Sequence, residues 1–105
     1  MKLLVVEDEP NLLSIIRKGL SENNNEVSVA MDGRTALEMI QEYNFDVVIL
    51  DIMLPDINGI EICRRLRAAK NFVPIFSLVL LKALLISLFL VAVSLLNSPE
   101  PPLGG

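Results

Sequence analysis

Two short apolar runs end in acid. Leu3-Leu4-Val5-Val6 leads into Glu7-Asp8, and Val47-Val48-Ile49-Leu50 leads into Asp51. An unbroken run of this length reads as a strand buried on both faces, the habit of parallel sheets. Between the runs the pattern takes a helical period. The spacing predicts a helix over Asn11–Ser21, with Leu12, Leu13, Ile15, Ile16 and Leu20 on one face and Arg17 and Lys18 outside. Pro10 stands just ahead of it, where no backbone donor is required. Asn23-Asn24-Asn25 signals a turn, and Glu26–Ala30 reads as a short strand. Asp32 is placed to cap a helix running to Tyr43, with Ala36, Leu37 and Ile40 inward. Pro55, Asn58 and Gly59 mark a loop. A third helix follows over Ile60–Ala69, burying Ile62, Cys63 and Leu66, and a fourth strand begins within Val73–Leu78. This β-α-β-α-β-α-β alternation predicts an α/β fold built on a doubly wound parallel sheet.

The alternation then breaks. From Ile75 to Leu96 the one charged side chain is Lys82, and Ser77, Ser87 and Ser94 are the only other polar ones. A helix lying on a sheet needs a broad polar outer face, and this stretch has none. Its length suits a membrane span of about 20 residues. The Pro- and Gly-rich end reads as an unfolded tail. The expected organisation is a domain over 1–76, an apolar segment over 77–96 and a disordered tail over 97–105.

With 105 residues the chain has room for one small domain and one core. A net charge of −4 and no histidine argue against a nucleic-acid surface. Arg64, Arg65, Arg67 and Lys70 form the one basic cluster, at helical spacing, and a solvated helix face explains them better than a phosphate-binding stripe. Cys63, the single cysteine, reads as a small core residue. The N-terminal apolar run is too short for a signal peptide and is followed by Glu7, Asp8 and Glu9, so the first part of the chain is expected in the cytoplasm.

If the two acid-tipped strands lie side by side and parallel, their carboxylates meet at the edge where open α/β sheets bind ligands. Clustered carboxylates repel, so such a group calls for a cation. Oxygen-only ligands suit Mg²⁺, and Asp51 would then be a nucleophile toward a phosphoryl group, giving an aspartyl phosphate. The plainer alternative is a set of solvated loop acids.

The segments "LLVVEDEP", "DVVILDIMLPDINGIEICRRLR" and "VPI" resemble the receiver domain of bacterial two-component response regulators. Within that family they look most like the subfamily carrying a C-terminal winged-helix DNA-binding domain. The resemblance implies a flavodoxin-like fold and phosphorelay signal transduction. It implies that Glu7 and Asp8 hold Mg²⁺ together with Asp51 and the backbone carbonyl of Met53. It implies that Asp51 accepts phosphate from a sensor histidine kinase, and that Pro55 and Gly59 shape the turn after it. A receiver homodimer is a further partner it admits.

The resemblance stops at about residue 76, which predicts an incomplete receiver ending in an apolar helix. Val79 stands where the family has its switch Thr or Ser, and the aromatic switch residue is absent. Lys82 is the only lysine after residue 70 and does not match the family's Lys-Pro. No DNA-binding domain follows, so direct nucleic-acid binding is not expected. Three accounts of the apolar segment stay open: a truncated or frame-shifted gene, an inner-membrane anchor with the receiver in the cytoplasm, or a nonstandard helix packed on the sheet. Beside the phosphoacceptor stand an inactive receiver fragment and a membrane-tethered interaction module. An aspartate-nucleophile phosphatase is disfavoured, because Met53 stands where its second acid would be.

Overall fold

The computed structural model describes residues 1–97. Four strands and four helices alternate: β1 (Lys2–Val6), α1 (Pro10–Ser21), β2 (Glu26–Ala30), α2 (Gly33–Glu42), β3 (Val47–Leu50), α3 (Gly59–Ala68), β4 (Ile75–Ser77) and α4 (Leu78–Leu96). The strands form one sheet in the order β2-β1-β3-β4. All the pairings are parallel. This is the flavodoxin-like doubly wound order, with the chain reversing direction across the sheet between β1 and β3.

The apolar runs become the strands predicted for them because both faces of the sheet are covered. Alternate residues of β1 point to opposite sides. Leu4 and Val6 join Ala30, Ala36, Ile40, Val48, Leu50, Ile62 and Leu66 on the side of α2 and α3. Val5 joins Leu13 and Leu78 on the side of α1 and the start of α4. Full burial of each such aliphatic side chain contributes about 1.5–3 kcal/mol.

Helix starts follow from local chemistry. The Glu9 carboxylate accepts from the backbone N–H groups of Asn11 and Leu12, and Pro10 lies inside the helix at its first turn rather than ahead of it. Asp32 caps α2 through the Thr35 N–H. Asn58 caps α3 through the Ile60 N–H, so Gly59 belongs to that helix and not to the loop. Asn24 takes a left-handed φ of 61° in the expected turn.

Three further expectations need correction. Ile15 is exposed, because with Leu13 on the sheet it points about 200° away round the helix. Cys63 is half-buried against the core rather than inside it. The fourth strand is confined to Ile75–Ser77, and Ser77 then caps α4 through the Val79 N–H. The tail expected over 97–105 lies, apart from Asn97, outside the described residues.

Leu78 is buried beside Val5 and Leu13, but Leu84, Leu85, Ile86, Leu88, Phe89, Leu90 and Val91 are all exposed. The molecule measures 67 × 29 × 21 Å with a radius of gyration of 18.0 Å. A compact chain of this length would have about 13 Å. The excess length is α4 projecting from the body.

Candidate functional site

Register builds the site. Val6 pairs with Leu50, so the residues that follow, Glu7 and Asp51, leave the sheet together. The Asp51 N–H donates to the Val6 carbonyl at 3.0 Å, and the Glu7 N–H donates to the Ala30 carbonyl at 3.0 Å. These bonds carry the backbone one step past the strand ends before the loops begin. Carboxylate oxygens of Glu7, Asp8 and Asp51 then lie within 4.8 Å of one another. Glu7 is 0% exposed and Asp51 2%, while Asp8 faces solvent.

Loop geometry holds Asp51 in place. Its Oδ1 accepts the Met53 N–H at 3.3 Å. Met53 itself sits in the loop after β3 with its side chain exposed. The start of α3 presses on the same loop: the Gly59 N–H donates to the Ile52 carbonyl at 2.8 Å. A Cβ on Gly59 would meet the Asp51 carbonyl oxygen at 2.6 Å, so only glycine lets α3 begin this close. Asp56 ties the other end of the loop to α2, accepting from the N–H groups of Gly33 at 2.7 Å and Arg34 at 2.9 Å. Those backbone donors, Gly33 first, hold the Asp56 carboxyl below its ordinary range.

The charge balance contains a residue that pattern reading missed. Lys82 does not match the family's lysine by position, yet its Nζ reaches Asp51 Oδ2 at 2.7 Å and Glu7 Oε2 at 2.8 Å. It also donates to Glu7 Oε1 at 3.1 Å. The site therefore has a fixed positive charge, supplied from the second turn of α4. A lone charge in a long apolar run was the available signal, because an ammonium in such surroundings is costly unless it is paired. Burial pushes the Glu7 carboxyl above its ordinary range, against the opposing bond from Lys82. Burial also works against the Lys82 charge, but its bonds to Asp51 and Glu7 outweigh that and leave the ammonium above its ordinary range.

Glu7 Oε2 lies beside the ammonium but accepts no aligned hydrogen bond and is fully buried. A buried carboxylate oxygen without a donor, next to two further carboxylates, is a ligand set fit for a small hard cation. The basic cluster takes no part. Arg64 and Arg65 pair with Glu61, and Arg67 donates to the Asn71 and Val73 carbonyls.

The chain belongs to the response regulator receiver domain family, which it matches over residues 3–83. The match passes residue 76 and takes in the first turns of α4, including Lys82. The transcriptional regulatory protein TcrA of Mycobacterium tuberculosis is 38% identical over 78 residues, covering 74% of this chain and 31% of TcrA. The chain thus spans about a third of the length of the curated relatives it matches. The response regulator TrrA of Thermotoga maritima, solved in complex with Mg²⁺-BeF, superposes with a TM-score of 0.68 at 35% identity, covering 73% of this chain and 69% of that one. A structure of the histidine kinase ThkA in complex with TrrA matches with a TM-score of 0.68 at 37% identity, covering 72% of this chain and 66% of that one.

Proposed function

We propose that this receiver accepts a phosphoryl group on Asp51 from a sensor histidine kinase, as a phosphoacceptor signalling domain rather than a turnover enzyme. The observation that carries the reading is the convergence of Glu7, Asp8 and Asp51 at the ends of two adjacent parallel strands. A carboxylate oxygen of Asp51 forms the new bond to phosphorus. The bond from phosphorus to the donor's imidazole nitrogen breaks, and that nitrogen keeps the electron pair. The Met53 N–H holds one Asp51 oxygen in orientation, and in the metal-free site the Lys82 ammonium offsets negative charge at the other. Glu7, Asp8, Asp51 and the Met53 carbonyl would hold Mg²⁺, which when bound offsets charge on the incoming phosphoryl group. Kinase docking is supported by the TrrA–ThkA complex of a relative.

The test is incubation of the full chain with Mg²⁺ and a small acyl phosphate, read by intact mass. A phosphoryl adduct that disappears without Mg²⁺ and in Asp51→Ala is expected. Folded protein that gains no adduct would refute the reading.

A second reading concerns location. Helix α4 is 19 residues long, has no broad polar face and is exposed along most of its length. A soluble docking helix would keep a polar face, and this one keeps none. About 28 Å of such helix approaches the roughly 30 Å hydrocarbon thickness of a bilayer. On this reading α4 tethers a cytoplasmic receiver to the inner membrane.

A further inference from the structure

Lys82 connects the acidic site to the apolar helix. Leu78 and Lys82 stand four residues apart, so they lie on one face of α4. Leu78 is buried beside Val5 and Leu13, and Lys82 is bonded to Glu7 and Asp51. Beyond Lys82, no described side chain of α4 is buried. These two residues are therefore where the helix is fastened to the receiver. One fastening is apolar, and the other is an ion pair with the carboxylates read above as a metal site.

We propose that Lys82 is a tethered cation in the seat of the divalent ion, so that metal binding and docking of α4 oppose each other. The inference rests on the reading of Glu7, Asp8 and Asp51 as the Mg²⁺ ligands. The ammonium lies 2.7–3.1 Å from oxygens of Glu7 and Asp51. A Mg²⁺ ion would need carboxylate oxygens of the same cluster at about 2.0–2.1 Å. The two cations would then stand within a few ångströms of each other, and they repel. The buried oxygen of Glu7 that accepts no aligned hydrogen bond marks the ammonium as an imperfect occupant. Asp8 makes no contact with Lys82 among the described bonds, so a ligand stays free to begin the exchange. Once the ammonium leaves, Leu78 alone holds α4, and the helix swings more freely. Linkage makes the effect reciprocal: freeing α4 tightens the metal by the factor by which the metal loosens α4.

The experiment uses the full chain in neutral detergent micelles that cover α4, with Mg²⁺ as the probe. Calorimetry measures Mg²⁺ affinity for the wild type, Lys82→Met and Asp8→Asn. Methionine keeps the apolar stem and removes the charge. Lys82→Met is expected to bind Mg²⁺ about 5–150-fold more tightly, the usual range of coupling between two sites. Amide hydrogen exchange on the wild type gives a readout that does not depend on the variant folding. Mg²⁺ is expected to speed exchange over the first turns of α4, and Asp8→Asn to blunt that response. Wild-type protein that binds Mg²⁺ with no change in α4 exchange would overturn the latch and leave the metal reading intact. So would equal Mg²⁺ affinity in folded Lys82→Met. Absence of Mg²⁺ binding in both wild type and folded Lys82→Met would overturn the metal reading, and the latch with it.

Discussion

Gly59→Ala probes the part of the fold that positions Asp51. A methyl carbon there would stand 2.6 Å from the Asp51 carbonyl oxygen and 2.8 Å from the Ile52 Cα, against an ordinary contact of 3.4 Å or more. Both obstacles are backbone, so no side chain can swing aside. Either the start of α3 retreats by roughly 0.6–0.8 Å or the loop after β3 gives way, and overpacking of this kind costs about 1–3 kcal/mol. The higher helix propensity of alanine offsets at most about 1 kcal/mol. The expected net loss is about 1–2 kcal/mol, or roughly 4–16 °C in Tm for a domain of this size. Gly19→Ala is the control, since a Cβ there meets nothing within 4 Å. Its expected effect is a gain of about 0.5–1 kcal/mol from a less flexible unfolded chain. Urea unfolding followed by circular dichroism measures both. The phosphoryl adduct of Gly59→Ala, read by intact mass under conditions where it is folded, should form more slowly because Asp51 moves. A Gly59→Ala protein within about 0.5 kcal/mol of wild type, with unchanged adduct formation, would refute the reasoning.

Two more outcomes follow from the geometry. Ile62 is fully buried among residues of β1, β3 and α2, so Ile62→Ala should cost about 2–5 kcal/mol in chemical denaturation; a loss below about 1 kcal/mol would mean that this face is not packed as described. The Glu61 carboxyl, held down to about 2 by Arg64 and then Arg65, should titrate near that value by carboxyl NMR, and a midpoint at or above 4.5 would contradict the pairing. Because its folded pKa is depressed, its stabilising contribution is present above 4.5 and is lost as pH falls toward about 2. Glu61 is partly exposed and its partner Arg64 largely so, so the acid limb of stability should flatten only slightly in Glu61→Gln.

The elements up to α3 were legible in order and nearly in extent, because strands buried on both faces leave unbroken apolar runs and helices on a sheet leave a 3.6-residue stripe. The misplaced residues lie where a period does not say which way a face turns. Ile15 belongs to an apolar stripe broader than the strip the sheet can cover. Gly59 was read as loop for its residue type, although the cap at Asn58 makes it helical. Glu7, Asp8 and Asp51 were legible as a set because each ends an apolar run, and parallel register brings such ends together. Lys82 was legible as a charge in need of a partner, but the partner was not, since nothing local says that a helix following β4 turns its second turn back over the neighbouring strand ends.

The sequence by itself determined the α/β alternation, the acid-tipped strands and the absence of a polar face on the last helix. Each of these is a local pattern of residue types. Only the tertiary structure decided that β1 and β3 pair in the register that joins Glu7 to Asp51, that Gly59 sits against the backbone of Asp51, and that the one charge of the apolar segment closes the acidic site. Those facts depend on contacts between residues far apart in the chain, and such contacts are fixed by packing and charge pairing rather than by local propensity.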